Sequence, residues 1–325
     1  MTAIQETRRE WLAGVVQRRG SVVVLALVVV ISSVAFDSFA TVDNARNIAM
    51  QASFLSIVAL GMTFVILSGG IDLSVGSVYA LGGVLAALGV QSGSVVGLLL
   101  PLVVCGGIGL LNGVLVAYGR LAPFIVTLAT LLGARGLLLA ITNEGATTRV
   151  MPRDAVLTKI GQGTVLGIGY PVFIAVVLFV IGVIVLQRTK FGHSVLAIGG
   201  SGEAAKLMGL PVARRTVWLY TGSGLLAGLA GALAAAYYAS GVTIVGVGLE
   251  LDAIAAVVIG GTLLTGGAGT VGGTAAGVLL LCVIQNVINQ IGTLSSYYQS
   301  VVSGAFLAIV VAIQAYLSRA HLGRG

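Results

Sequence analysis

Four ionisable residues stand inside or against long apolar runs: Asp72, Arg135, Glu250 and Asp252. A charge in such a setting is costly and needs an ionic partner, water or a helix terminus. Asp72 and Glu250 each lie two residues after a glycine, at the start of an apolar segment. Free main-chain N–H groups at a helix start satisfy a carboxylate there, so both acids are expected to serve structure first. Arg135 is expected to pair with an acid inside a helix bundle. The amides Gln285, Asn286, Asn289 and Gln290 mark a later apolar run, with Asn286 and Asn289 on one helix face. They could bind helices together or line a wet path for a hydroxyl-rich solute, and the sequence leaves both open.

Several chemistries are excluded. No G-x-x-x-x-G-K-[ST] string occurs, so no phosphate-cradling loop of that kind is offered and the chain is not expected to hydrolyse ATP itself. His193 and His321 are isolated, and no Cys/His cluster has metal-ligand spacing. No G-x-S-x-G nucleophile elbow is found. Cys105 and Cys282 lie in apolar stretches and read as small core residues rather than a disulfide.

The elements that must position these residues are membrane helices. Charged residues make up 8% of the 325-residue chain against 58% hydrophobic ones, and the mean hydropathy is +1.10. A soluble domain carries about 25% charged residues, so the solvent is lipid. Apolar spans are expected near 20–37, 47–68, 73–90, 95–118, 123–142, 166–187, 216–239, 250–263, 271–292 and 299–318. That makes about ten transmembrane helices, an all-α polytopic fold. The 48 glycines fall mostly within these runs and predict close helix packing through small residues. The basic residues before the first run could head a signal peptide, but no clear cleavage site follows and a retained first span is expected.

The longest charged interruption is residues 188–215, holding Arg188, Lys190, Glu203, Lys206, Arg214 and Arg215. Inside it a short helix over Gly202–Met208 is punctuated at both ends. Ser201 can cap its N-terminus and Glu203 falls in the first turn. Lys206 lies towards the C-terminal end, Gly209 suits the left-handed position beyond it, and Pro211 forbids continuation. Such a rod of roughly 10 Å is unstable alone and must lie against something. Glu203, Lys206 and Leu207 share one side with Ala204 and Met208 on the next; Ala204 and Ala205 are small enough for close approach, and flexible Met208 can fill an irregular pocket.

Orientation follows from Lys and Arg. With the N-terminus in the cytoplasm, ten alternating spans put Arg8, Arg9, Arg18, Arg19, Arg120, the 188–215 stretch, Arg319 and Arg324 inside. Arg46, Arg149, Arg153 and Lys159 fall outside. The net charge of +7 therefore reports topology and not nucleic-acid binding. An internal repeat is also expected. At a shift of 178 residues, Gly70-Ile71-Asp72-Leu73 falls on Gly248-Leu249-Glu250-Leu251, and Gly82-Gly83 falls on Gly260-Gly261. The two copies open spans of opposite sense, the inverted-repeat plan of many transporters.

Residues 61–77, GMTFVILSGGIDLSVGS, resemble the signature of the permease subunits of bacterial monosaccharide ABC importers, the ribose, xylose, arabinose and galactofuranose group. Asn112-Gly113, Pro123–Leu128 and Arg135-Gly136 match a second block of that family, and 248–273, GLELDAIAAVVIGGTLLTGGAGTVGG, a third. Thr189–Gly200, Gly292–Ser296 and the third block look most like one of the two galactofuranose importer permeases. The resemblance runs from about residue 20 to 318 and implies a type II ABC importer-like fold, with residues 1–325 as one permease domain in the bacterial inner membrane. It implies that 188–215 is a cytoplasmic coupling loop whose helix, Gly202, Glu203, Ala204, Ala205, Lys206, Leu207, Met208 and Gly209, docks on an ATP-binding subunit. It implies a second permease, identical or homologous, and a periplasmic sugar-binding protein. ATP and Mg belong to the partner subunit, and this chain binds no cofactor. Asn112 joins the intramembrane polar candidates for path or structure.

Another class stays open from the residues alone, a secondary transporter with Asp72, Glu250 or Asp252 as proton or ion site. The docking rod favours the importer, because a gradient-driven carrier needs none.

Overall fold

The computed structural model describes residues 21–145 and 149–291, with single helical positions at Tyr298, Val301, Val302, Gly304, Ala305 and Ala308. The N-terminal arginines, Gly292–Ser296 and most of the expected last span lie outside the described residues.

Apolar runs become helices because only a helix satisfies its own main chain in lipid. In chain order they are α1 (Ser21–Ala35), α2 (Val42–Leu67), α3 (Val75–Gly89), α4 (Ser94–Ala117), α5 (Pro123–Ile141), α6 (Val156–Gln162) and α7 (Tyr170–Arg188). There follow α8 (Lys190–Gly200), α9 (Gly202–Leu207), α10 (Val212–Tyr238), α11 (Leu249–Ile259) and α12 (Val271–Ile291). Seven are long and apolar enough to cross a membrane among the described residues: α2, α3 with its short 3-10 extension to Ser92, α4, α5, α7, α10 and α12. The span expected over 250–263 is the 11-residue α11, about 16 Å long and so too short to cross alone. It ends where Gly261 takes a positive φ of 90°.

Three helices form the centre. The most apolar stretch of α2 is 83% buried, that of α3 with its extension 78% and that of α10 72%, against 22% for both α5 and α7. Helix α10 packs on α2, α3 and α4, while α2 also packs on α7, α11 and α12. Small residues make the close approaches. Gly224 of α10 meets the main chain of α4 at Cys105 and Gly109, Gly228 meets the Cys105 side chain and the Pro101 carbonyl, and Gly231 meets the Tyr79 carbonyl of α3. A side chain at any of these positions would strike backbone, which cannot move aside.

The all-α expectation needs two small corrections, both involving the 143–169 stretch. The first pair of strands, β1 (Arg149–Val150) and β4 (Ser240–Gly241), is antiparallel, as is the hairpin of β2 (Thr164–Val165) and β3 (Ile168–Gly169). The hairpin turns through Leu166 and Gly167, both with positive φ, which suits the twist of a two-residue connection. The charged stretch also holds more helix than its punctuation indicated. Helix α8 precedes α9, capped by Thr189 Oγ1 accepting from the Gly192 N–H at 3.2 Å. Helix α10 begins at Val212, so Arg214 and Arg215 lie in its first turn rather than in a loop.

Candidate functional site

Helices α8 and α9 form an elbow whose parts follow from local sequence. Ser201 Oγ accepts the Ala204 N–H at 3.2 Å, leaving Glu203 in the first turn. At the other end the Gly209 N–H donates to Lys206 O and the Leu210 N–H to Ala205 O, both at 3.0 Å, with Gly209 at φ +80°. This paired closure satisfies the last carbonyls and demands the left-handed residue. Gly202, Glu203, Ala204, Lys206 and Gly209 are exposed, and Leu207 and Met208 are 89% and 71% exposed. Two large apolar side chains thrust from a six-residue helix touch almost nothing of their own chain. Ala205 corrects the expectation that it presents a small surface to a partner, because it is fully buried against its own chain. A short helix takes its phase from what it rests on, here α8 and α10.

The elbow sits on the end of a central helix. A Cβ at Gly199 would collide with the Leu67 carbonyl that closes α2 and with the Gly267 nitrogen. The Gly267 N–H donates to that same Leu67 oxygen at 2.9 Å. Arg215 lies over the Phe191 ring, 5.2 Å from its centroid, and holds α8 to α10.

Beyond Leu67 the chain runs without helix to Val75, and Asp72 in this break is 1% exposed. Its Oδ1 accepts the Ser74 N–H at 3.1 Å and the Ser74 hydroxyl at 2.6 Å. Its Oδ2 accepts the Ser223 hydroxyl of α10 at 2.7 Å. Asn112 of α4 donates from Nδ2 to Ser74 Oγ at 3.1 Å. The Tyr220 hydroxyl and the Thr127 hydroxyl both reach the Ile71 carbonyl, at 3.3 and 3.4 Å. The expected N–H contact is therefore one of three, and hydroxyls complete the set. Ser74, two residues on, is an Asx-turn signal readable in sequence. Ser223 lies 151 residues away and carries no local signal.

Among the described residues the ion pair within 4 Å is Arg46–Asp43, which is exposed and so contributes little. Arg135 thus does not pair with an acid at that range, and its expectation is corrected. Its Nη1 donates to the Thr243 carbonyl at 2.8 Å, with the Glu250 charge within electrostatic reach. The carbonyl is free because residues 242–248 run between β4 and α11 without helical bonds. Glu250 lies in the first turn of α11, with its carboxylate against Gly76 of α3. Gln285 Nε2 donates to Asp252 Oδ2 at 3.3 Å, joining α12 to α11. Asn286 and Asn44 exchange hydrogen bonds of 2.8 and 3.1 Å, and Gln290 Nε2 donates to Asn286 Oδ1 at 3.0 Å. Those amides tie α12 to the start of α2, while Asn289 is exposed.

The Asp72 cluster gives a direct test. Asp72→Leu removes the acceptor for one N–H and two hydroxyls, and is expected to cost about 3 kcal/mol. Asp72→Asn keeps the shape and one acceptor oxygen, and should cost clearly less. Thermal unfolding of the two purified variants measures the difference, and equal losses would refute the assigned bonding.

Residues 44–311 match the family described as branched-chain amino acid transport system / permease component. The ribose import permease protein RbsC of Bacillus subtilis is 40% identical over 308 residues, covering 94% of this chain and 95% of that one. The inner membrane ABC transporter permease protein YjfF of Escherichia coli is 43% identical over 285 residues, 86% of each. The L-arabinose ABC transporter permease protein AraH of Azospirillum brasilense is 35% identical over 311 residues, 93% of this chain and 88% of that one. No solved structure matches. A bundle of apolar helices tied by small-residue contacts, matched over most of its length by transport permeases, belongs to the family of the branched-chain amino acid transport system / permease component.

Proposed function

We propose that the chain is the transmembrane permease subunit of an ATP-driven importer carrying a monosaccharide across the bacterial inner membrane into the cytoplasm. The observation that carries this is the elbow. Leu207 and Met208 are exposed apolar side chains at the end of the capped helix α9, which rests on α8, and α8 is seated on the end of α2. A separate motor needs such a surface. Relatives named for ribose and L-arabinose import support a pentose or related monosaccharide. The likeness of 189–200 and 248–273 to a galactofuranose permease adds that furanose sugar as a candidate.

In this reading residues 1–325 form one permease domain, with both termini and the loop 188–215 cytoplasmic. It assembles with an identical or homologous permease, an ATP-binding subunit that holds ATP and Mg, and a periplasmic sugar-binding protein. The inverted repeat is supported by the packing. If α2-α3-α4 and α10-α11-α12 are exchanged, the observed contacts map onto one another: α3 on α10 becomes α11 on α2, and α4 on α10 becomes α12 on α2.

The test is purification from native membranes through a tag on this subunit. An ATP-binding subunit is expected to copurify, with hydrolysis stimulated by binding protein loaded with ribose, L-arabinose or galactofuranose. A chain that purifies alone and drives uptake from an ion gradient in ATP-free vesicles would overturn the proposal.

A further inference from the structure

Arg135 stands six residues before the end of α5 at Ile141, about 9 Å along the helix axis and so well inside an apolar span. It is only half-buried. The bond to the Thr243 carbonyl is the one hydrogen bond its five N–H donors make among the described residues. Glu250, within electrostatic reach, is half-buried as well, and its carboxylate lies against Gly76 at the start of α3. Around them Leu132, Ile244, Val247 and Leu251 are 65%, 79%, 77% and 54% exposed. Two charged groups, one of them with spare donors, therefore lie half-buried within reach of each other beside these exposed apolar side chains.

Lipid cannot cover that face cheaply. A charged side chain at the centre of a helix in the bilayer costs about 2.5–3.5 kcal/mol even by the most lenient scale. A dry protein contact would leave the spare N–H donors of Arg135 unpaired, a loss that its attraction to Glu250 offsets only in part. Water satisfies them. Helix α7 presents the contrast, exposing Phe173, Val176, Val180 and Ile184 with no polar group among them, as a lipid face should.

We infer that the α5–α11 face centred on Arg135 and Glu250 lines the aqueous path and holds a polyhydroxylated solute in passage. The guanidinium donates to hydroxyl oxygens and the carboxylate accepts from hydroxyl hydrogens, which is the complementarity a sugar offers. The spare donors of Arg135 are what a hydroxyl would engage in place of water. This inference rests on the importer reading for the identity of the solute, but the wetness of the face does not.

The experiment uses the assembled complex in membrane vesicles. Single cysteines replace Leu132 and Leu251 on this face, and Val176 and Val180 on α7. Cys105 and Cys282 are buried and give little background. The probe is a membrane-impermeant, negatively charged methanethiosulfonate. Leu132→Cys and Leu251→Cys are expected to react roughly tenfold faster than the α7 positions, since a thiol in hydrocarbon does not ionise. Saturating ribose, or L-arabinose if that is the sugar taken up, should slow the reaction. Arg135→Lys keeps the charge but loses the fork. It should raise the KM for uptake about tenfold with folded yield unchanged.

Equal, slow reaction at all four positions in a complex that still imports sugar would overturn the inference. Fast reaction untouched by a transported sugar, with an unchanged KM for Arg135→Lys, would overturn its solute-holding part. Fast reaction on the α5–α11 face in a complex that imports no sugar would uphold the wet face and refute the importer reading instead.

Discussion

Gly231→Leu is expected to leave almost no folded protein. Gly231 lies on α10 where α3 comes closest, and a Cβ there would overlap the Tyr79 carbonyl and press on the Gly83 nitrogen. One turn away Gly82 faces the Gly228 main chain, where a Cβ would sit 2.8 Å from its Cα. Both obstacles are backbone, so relief requires parting two helices of the core. The cost should exceed about 4 kcal/mol, the range reached by few single substitutions. Gly222→Ala on the same helix supplies the control. A Cβ at Gly222 meets nothing within 4 Å, and alanine is the better helix former by about 0.5–1 kcal/mol. Size-exclusion profiles of the detergent-extracted variants measure the contrast. A monodisperse Gly231→Leu protein with parental yield would refute the close α3–α10 packing.

The second large effect is on coupling. Leu207→Asp combined with Met208→Asp is expected to weaken association with the ATP-binding subunit by at least about thirtyfold, roughly 2 kcal/mol, and to stop uptake. Their exposure of 89% and 71% means that the fold loses almost no contact, so the thermal midpoint should hold. Copurification and sugar-stimulated hydrolysis supply the readout. Normal motor binding and uptake in the double variant would remove α9 from the docking surface. Ala205→Trp is a poor probe of docking. Ala205 is buried against its own chain, and a bulky residue there unseats α9 before any partner is involved.

Seven of the expected spans were legible because each is a continuous apolar run, and the ends of α9 were legible because Ser201, Gly209 and Pro211 are local signals. Helix α8 was less so. KFGHSVLAIGG holds three glycines and depends on a seat at the end of α2 that no local pattern encodes. The direction in which Ala205 faces was hidden for a related reason, since six residues contain too little period to fix a buried side. Among the polar residues, Asp72 was conspicuous, but the Ser223 hydroxyl that completes its shell arrives from α10 through tertiary packing. Arg135 was expected to seek an acid. It found the Thr243 carbonyl because residues 242–248 are not helical and leave that carbonyl open to a side-chain donor, which hydropathy does not reveal.

The seat of the elbow gives α2 the mechanics of a lever. This helix has 26 residues, about 39 Å of nearly rigid rod. One end is gripped at Leu67 by Gly199 and Gly267, and beside it begins the non-helical break that lets the rod turn. The other end carries Asn44, latched to Asn286 by two hydrogen bonds. A tilt of roughly 3° at the gripped end would carry the far end about 2 Å, enough to open a hydrogen bond at that latch. A tilt imposed at the elbow would thus be read at the opposite end of the helix, by the Asn44–Asn286 latch.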